Sequence, residues 1–130
     1  MLKVKTRIGL SAIEGIGLFA DEFIKKGTVI WTYDPMFDRT YTEDDVDSMT
    51  DIEWSYVKKY SFKYAGEYCL CCDDARFFNH SESPNCTEVV NDIPFGCTIA
   101  ARDIYPHEEL TTDYATFGQT EEDNLFNKDF

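Results

Sequence analysis

The sequence has no long hydrophobic run. Its first ten residues, MLKVKTRIGL, alternate apolar and basic side chains where a signal peptide would carry an unbroken apolar core. No later stretch of the 130 residues approaches the length of a membrane span. We therefore expect a soluble, intracellular protein without a membrane partner, located in the cytoplasm, or in a host compartment if the source is a virus or pathogen.

Basic residues are scarce, with 12 Lys and Arg against 25 Asp and Glu and a formal net charge of -13. A field of this sign repels nucleic-acid phosphates and attracts Lys/Arg-rich partners, so we expect no direct nucleic-acid binding. One segment, residues 43–53, is acidic without a single basic residue. It is either a solvated face that keeps the protein soluble or a guide for a basic peptide.

Internal repeats, low-complexity tracts and linkers are also missing, and 130 residues suit a single domain. A hydrophobic fraction of 43%, with ten Phe and eight Tyr, is enough to build a core. We assign residues 1–118 to the domain. The acidic tail, residues 119–130, contains Leu125, Phe126 and Phe130 and is expected to dock on it.

Cysteines number five, and an odd count without a secretion signal favours reduced thiols over a disulfide framework. In an alternating strand Cys69 and Cys71 would share one face while Cys72 points away. A tetrahedral metal site would then need ligands from elsewhere in the chain, so small buried thiols are favoured and no metal is expected.

Short strands separated by turn residues dominate the pattern, and Gly9 and Gly15 bracket the first turn. Strands are predicted over residues 2–8, 18–20, 28–33, 67–71, 86–90 and 95–101, the last two forming a hairpin around Asn91-Asp92 and Pro94. In residues 42–60, two Thr residues each precede an acidic residue by three positions, which is the pattern of a capping box. Helices there would turn five side chains inward: Val46, Met49, Trp54, Val57 and Tyr60. The fold class is α+β, mostly β.

Three clusters could carry chemistry: EGIGL at 14–18, RFFNHSESPNC at 76–86 and EELTTDY at 108–114. The Gly-x-Gly could serve a turn or let the backbone touch a ligand. Short strands follow it, whereas a phosphate loop or dinucleotide fold needs a long helix there, so nucleotide-phosphate binding is disfavoured.

The pairing of His80 with Cys86 and a nearby Asn could indicate a cysteine hydrolase. In such enzymes the nucleophile and base normally converge from distant parts of the chain, so the short spacing argues against this class. A histidine considered alone is more often structural than catalytic.

In order, the three clusters resemble the SET-domain family of protein lysine methyltransferases. Gly15-Ile16-Gly17 matches the family's G-x-G turn, and residues 24–30 match a later turn. R-F-x-N-H-S-x-x-P-N is matched by Arg76, Phe77, Asn79, His80, Ser81, Pro84 and Asn85. The closing G-E-E-L-x-x-D-Y is matched by residues 107–114, with His107 where Gly is usual. The resemblance covers residues 8 to about 118.

The resemblance implies a fold of several small sheets, in which the N-H-S segment threads under the segment leading to the tyrosine in a carboxy-terminal pseudoknot, an exception to the rule against threaded chains. It implies S-adenosylmethionine as cofactor, held by the backbone of Ile16, Gly17 and Leu18 and by Arg76, Asn79 and His80. Tyr114 would stand where the methyl meets the substrate lysine, and Tyr60 is a candidate second channel tyrosine.

Methyl transfer from a sulfonium is a direct displacement, so the enzyme must align nitrogen, methyl and sulfur and supply lysine in its neutral form. A desolvated channel and the nearby sulfonium charge both lower the pKa of lysine from about 10.4. Neither a metal nor a covalent nucleophile is required.

Two departures from the family pattern carry predictions. Many relatives have Cys where this chain has Glu82, and no cysteine follows Cys97, so we predict a minimal form without a zinc-binding lid, whose site is covered by Phe117 and the tail. Thr112 occupies the channel position that often holds Phe or Tyr. A small side chain there leaves room for a di- or trimethyl product, unless another residue fills the gap.

The sequence thus predicts a protein-lysine N-methyltransferase, monomeric or homodimeric, acting on a lysine-rich protein or peptide. The alternative is a non-catalytic module of the same fold that binds lysine-rich peptides through its acidic face.

Overall fold

A computed structural model describes residues 1–89 and 94–113. The expectations for Tyr114, Phe117, the tail at 119–130 and the turn at Asn91-Asp92 lie outside these residues. The strands are Thr6–Leu10 (β1), Ile16–Ala20 (β2), Val29–Thr32 (β3), Arg39–Tyr41 (β4), Ser61–Tyr64 (β5), Glu67–Leu70 (β6), Asn79–His80 (β7), Cys86–Val89 (β8), Cys97–Ala100 (β9) and Thr111–Thr112 (β10). The helices are Glu43–Asp47 (α1) and Asp51–Tyr60 (α2), and Asp74–Phe77 forms a 3-10 turn.

The strands form four small sheets. Two are antiparallel and three-stranded, in the orders β3-β9-β8 and β4-β6-β5. The other two are the antiparallel pair β1-β2 and the parallel pair β7-β10. The expected class, mostly β in several small sheets, is confirmed.

Two groups of buried apolar side chains form the core. The larger contains one residue from each of the three sequence motifs: Leu18, Cys86 and Leu110. The second packs Trp31 and Phe95 against buried cysteines of the β6 region. Removal of this apolar surface from water holds the small sheets together, and the same packing joins the three motifs.

The first strand begins later than predicted. Residues 2–5 lie outside β1 because the amino-terminal segment pairs with β3 instead: Leu2 bridges Trp31, and the Lys3 amide donates to the Ile30 carbonyl at 2.7 Å. Gly9 does not begin the turn but lies within β1, opposite Gly17. The prediction was therefore wrong at both ends of this strand, although the hairpin itself is present.

Both predicted capping boxes are present. Thr42 and Asp45 exchange side-chain to backbone hydrogen bonds at the start of α1, and Thr50 and Glu53 do so at the start of α2. Among the five side chains expected to face inward, Val57 is buried and the other four are half-buried. Within the described ranges, neither helix is long and apolar enough to cross a membrane.

A hairpin that the sequence analysis missed joins β5 to β6. Its two turn residues, Ala65 and Gly66, both have positive φ angles, 50° and 81°, as the right-handed twist of a tight hairpin requires. Ala is an unusual residue at such a position, because Asn or Gly normally signals this turn. The short strand β4 on the other edge of this sheet was also not predicted.

Two similar turns lie side by side. Ile24 and Ile104 exchange backbone hydrogen bonds of 2.8 Å in both directions. A turn follows each of them, and the residue three positions after each isoleucine has a positive φ angle. That residue is Gly27 in one turn (φ 87°) and His107 in the other (φ 78°). His107 therefore adopts a left-handed conformation that favours glycine, at the position where the motif that this chain resembles usually has glycine.

Candidate functional site

The third motif lies between the other two. On one side it lies alongside β2, where the Leu110 amide donates to the Leu18 carbonyl at 2.7 Å. On the other side β10 pairs in parallel with β7, placing Thr111 opposite Asn79 and Thr112 opposite His80. The second and third motifs are therefore side by side, as the resemblance implied.

Asn85, from the Pro-Asn end of the second motif, fixes the third motif in place. Its Nδ2 donates to the Glu109 carbonyl at 2.8 Å, and its Oδ1 accepts from the Thr111 amide at 2.9 Å. Only 3% of Asn85 is exposed, so an apolar replacement would leave buried backbone groups without partners. The Pro-Asn turn thus has a structural role next to the site.

Ser11, Asn79 and Glu109 form a polar cluster that joins the turn between β1 and β2 to the other two motifs. Ser11 Oγ donates to the Glu109 carboxylate, with oxygen distances of 2.8 and 2.9 Å. Asn79 Nδ2 lies 2.9 Å from Glu109 Oε2 and 3.1 Å from Ser11 Oγ. Backbone amides of Ile13 and Glu14 donate to Ser11 Oγ at 2.9 and 3.2 Å.

Ser11 was not among the predicted site residues. A serine hydroxyl that accepts from amides two and three positions ahead is a common turn device, and this was the available signal. Its bonds to Asn79 and Glu109 span 68 and 98 positions of the chain. No local pattern indicates contacts of that range.

The two glycines of the Gly-x-Gly turn are required for different reasons. Gly15 has a φ of 51°, which glycine adopts at no steric cost. At Gly17 the restriction is space, because an added β-carbon would lie 2.5 Å from Glu109 Oε2 and 3.0 Å from the Ser11 β-carbon. The first glycine makes the turn, and the second lets the third motif approach it.

Arg76 contacts the end of helix α2. Its Nη2 and Nε donate to the Cys71 carbonyl at 2.9 and 3.2 Å, and its Nη1 donates to the Tyr56 hydroxyl. The guanidinium carbon lies 5.9 Å from the ring centres of both Tyr56 and Tyr60. The side chain thus joins the 3-10 turn to the last two turns of α2.

Tyr60, the candidate channel tyrosine, is half-buried in an aromatic group. Its ring centre lies 4.9 Å from that of Tyr56 and 5.9 Å from that of Phe77. Lys59 Nζ lies 5.3 Å from the Tyr60 ring centre. The first two residues of the second motif, Arg76 and Phe77, therefore both contact Tyr60.

His80 and Thr112 lie opposite each other in the parallel pair. His80 Nδ1 is 3.7 Å from Asp113 Oδ1, and the imidazole is about one third exposed. Thr112 is buried, with 4% exposure, and its carbonyl accepts from the Ser81 amide at 3.0 Å. Asp113 is the last described residue of this segment, and Tyr114 follows it in the sequence.

The cysteines are arranged as their alternation predicted. Cys69 and Cys71 are buried and Cys72 is exposed, while Cys86 and Cys97 are also buried. Burial raises the pKa of the Cys86 thiol to about 12, which makes a thiolate nucleophile unfavourable and removes support from the hydrolase alternative. In residues 1–89 and 94–113, no group of three or more His, Cys, Asp or Glu side chains could hold a metal ion.

Comparison with known proteins gives a consistent assignment. A model of the SET domain matches residues 15–115. Over 119 residues the chain is 32% identical to the histone-lysine N-methyltransferase trr of Drosophila melanogaster, a match that covers 80% of this chain and 4% of that protein. The chain thus spans a small part of the length of this relative.

Two solved structures share the fold. A Plasmodium falciparum candidate histone methyltransferase has a TM-score of 0.63 at 20% identity, over 87% of this chain and 95% of that one. A humanized mutant of the Chaetomium thermophilum Polycomb Repressive Complex 2, solved with the inhibitor GSK126, has a TM-score of 0.66 at 21% identity, over 89% of this chain and 16% of that one. These two likenesses show the fold, and the match of the SET-domain model to residues 15–115 shows that the chain belongs to the SET-domain family.

Proposed function

We propose that this protein is an S-adenosylmethionine-dependent protein-lysine N-methyltransferase. The observation that carries the proposal is the meeting of the three motifs, in which Asn79 bonds the Glu14 carbonyl and the Glu109 carboxylate and pairs with Thr111. The name of the Drosophila relative supports lysine as the acceptor.

The residues at this meeting point fit the proposed cofactor. Asn79 Nδ2 lies 3.2 Å from the Glu14 carbonyl and 3.4 Å from the Ile16 carbonyl, so the Gly-x-Gly turn and the second motif form one surface. Leu18 is fully buried and its carbonyl accepts from the Leu110 amide at 2.7 Å, so it supports this surface from behind. In this proposal Ile16, Gly17, Asn79 and His80 hold the cofactor, the Leu18 backbone fixes the turn beneath them, and Phe117 covers them.

The oxygen-rich surface suits the cationic part of this cofactor. Glu109 contributes a carboxylate and the turn contributes carbonyls, and both favour an ammonium or sulfonium group nearby. When bound, S-adenosylmethionine supplies a methyl group on a positively charged sulfur. The chain itself holds the two reactants in line and excludes water.

The substrate lysine must arrive neutral, which a dry aromatic channel favours. Tyr60 provides one half-buried aromatic face, supported by Tyr56 and Phe77. Tyr114, one residue past Asp113, is proposed to orient the amine through its hydroxyl. Thr112 is proposed to leave room for more than one methyl group.

The acidic surface is proposed to receive the substrate. Exposed carboxylates of α1 and of the first turn of α2 are concentrated on one segment, and the net charge of -13 favours a lysine-rich protein or peptide. The proposed setting is the cytoplasm, as a monomer or homodimer, with the domain at residues 1–118 and no direct nucleic-acid binding. The competing function is a non-catalytic module that binds lysine-rich peptides through the same surface.

Calorimetry separates the enzyme from the module. We expect S-adenosylmethionine and its demethylated product, S-adenosylhomocysteine, to bind the unaltered protein, because both share the part that the turn would hold. ATP is the matched control ligand, since it shares the adenosine but carries phosphates that the acidic protein repels. Binding of lysine-rich peptide without either sulfur ligand would favour the module.

A further inference from the structure

We propose that Arg76 is a positioning residue that acts through Tyr60, fixing the aromatic wall of the lysine channel, and that it does not hold the cofactor. This inference rests on the proposed function. It reassigns one residue that the family resemblance had placed at S-adenosylmethionine.

The hydrogen bonds of Arg76 define where its charge lies. Two of its nitrogens converge on the Cys71 carbonyl, at 2.9 and 3.2 Å, and a third reaches the Tyr56 hydroxyl. A guanidinium held at both ends of its planar fork has a fixed orientation. That orientation brings it to the rings of α2, 5.9 Å from the centre of Tyr60.

The aromatic contacts extend this restraint to both sides of Tyr60. Tyr56 lies one helical turn earlier on the same face of α2, and its ring centre is 4.9 Å from that of Tyr60. Phe77 packs its edge against Tyr60 at 5.9 Å and an interplanar angle of 78°. Tyr60 is thus held between its own helix and the residues at 76 and 77.

Tyr60 lies at a point in the chain where such a restraint is needed. Tyr60 is the last residue of α2, and β5 begins at Ser61. A helix end is where backbone hydrogen bonds run out and motion is greatest. The contacts from Arg76 and Phe77 restrain the end of α2 beside the motif that also carries Asn79.

The second motif therefore has two functions in adjacent residues. Arg76 and Phe77 contact the ring of Tyr60, and Asn79 donates a hydrogen bond to the Glu14 carbonyl in the Gly-x-Gly turn. Tyr60 and the proposed cofactor surface are held at a fixed separation by one short segment. Because a displacement of about 1 Å can cost about a hundredfold in rate, this coupling matters for methyl transfer.

The kinetic test uses Arg76→Lys and Arg76→Ala. Lys keeps the charge but cannot bond Cys71 and Tyr56 with one planar group. We expect kcat for methyl transfer to fall about tenfold to a hundredfold in both variants, while the Kd for S-adenosylhomocysteine stays within about twofold. In a Tyr60→Ala background, Arg76→Lys is expected to lower kcat no further, because the Tyr60 ring that Arg76 positions is absent.

A structural readout that needs no activity is the NMR spectrum of ring-labelled tyrosine. We expect Arg76→Lys to shift the Tyr56 and Tyr60 ring signals and leave that of Tyr68 in place. Lys63→Ala is the matched control, because Lys63 Nζ lies 5.5 Å from the ring centre of Tyr68 in the β5-β6 hairpin, whereas Tyr56 and Tyr60 belong to α2. It should shift Tyr68 alone and leave kcat unchanged.

The outcomes are distinct. A tenfold or greater loss of S-adenosylhomocysteine affinity in Arg76→Lys, or kinetic effects that add to those of Tyr60→Ala, overturns the positioning role and restores Arg76 to the cofactor. Unshifted Tyr60 signals also overturn it. If the unaltered protein transfers no methyl group, the proposed function fails, and the ring signals still decide whether Arg76 orders Tyr60.

Discussion

The carboxylate of Glu109 lies where a side chain at Gly17 would be. A β-carbon built at Gly17 would stand 2.5 Å from Glu109 Oε2 and 2.9 Å from Glu109 Cδ. The carboxylate cannot simply swing away, because Ser11 Oγ and Asn79 Nδ2 both bond it within 2.9 Å. The glycine of the first motif and the glutamate of the third are therefore one packing unit.

Gly17→Ala is expected to destabilise the protein by about 1–3 kcal/mol, the usual cost of forcing an extra carbon into a packed site. In a Glu109→Ala background the two shortest contacts are absent and only the Ser11 β-carbon, at 3.0 Å, stays close, so most of the cost of the added methyl should disappear. Chemical denaturation of the two single variants and the double variant measures this coupling. Additive effects would show that the two residues do not compete for space.

Glu108→Ala is the control for that cycle. Glu108 carries the same charge one position earlier, but its carboxylate bonds Arg102 and the Tyr105 amide. It should therefore show no coupling to Gly17→Ala.

His107→Gly is expected to stabilise the protein by about 0.5–1 kcal/mol. A left-handed residue other than glycine costs roughly 1–2 kcal/mol, and the greater freedom of glycine in the unfolded chain offsets part of the gain. The neighbouring turn is the matched comparison, because Gly27→Ala, at a φ of 87°, should destabilise for the same reason. Equilibrium denaturation measures both variants, and a destabilised His107→Gly would contradict the account.

Glu88→Gln tests a charge that folding buries. Burial raises the pKa of Glu88 to about 7, despite a hydrogen bond of 2.6 Å from Thr98 Oγ1. The folded protein therefore keeps this proton at pH values where the unfolded chain has lost it, so stability falls as pH rises from about 4.5 to about 7.

The amide of Gln has no proton to lose and can still accept from Thr98. We expect Glu88→Gln to leave the free energy of unfolding almost unchanged at pH 4.5 and to raise it by on the order of 2 kcal/mol at pH 8. Denaturation curves at the two pH values, with the exposed Glu82→Gln as control, measure the difference. An equal effect of Glu88→Gln at both pH values would contradict the raised pKa.

Thr112→Phe tests the room proposed for the product. Thr112 is 4% exposed in β10, so a large side chain there must take space from its surroundings. We expect the variant to stop at monomethyl-lysine and Thr112→Ser to keep the product range of the unaltered protein. Mass spectrometry of a methylated peptide counts the methyl groups, and unchanged higher methylation in Thr112→Phe would remove Thr112 from the channel.

The sequence predicted correctly those parts of the fold whose determining residues are close together in the chain. The capping boxes at Thr42 and Thr50 involve residues three positions apart, and both are present. The start of β1 was wrong because its determinant, pairing of Leu2 with Trp31, is 29 positions away in the sequence. The turn at Ala65 was missed because its residue type runs against the usual preference for that conformation.

The site shows the same division. Family resemblance identified the residues of the three motifs, and the pairing of Asn79 with Thr111 confirmed that two of them meet. Ser11 was missed because it lies outside the three motifs and its partners, Asn79 and Glu109, are 68 and 98 positions away. The contacts of Arg76 with Tyr56 and Tyr60 depend on how a 3-10 turn packs on a helix, which no spacing in the sequence encodes.

Methyl transfer from isotope-labelled S-adenosylmethionine to a panel of lysine-rich proteins tests the central claim most directly. The account predicts label on lysine side chains with the unaltered protein, and a loss of about a hundredfold or more in Tyr114→Phe, which removes the hydroxyl proposed to orient the amine. Methyl transfer that persists undiminished in Tyr114→Phe would contradict the role of that tyrosine. No label on any lysine, together with no binding of S-adenosylhomocysteine, would contradict the enzyme itself.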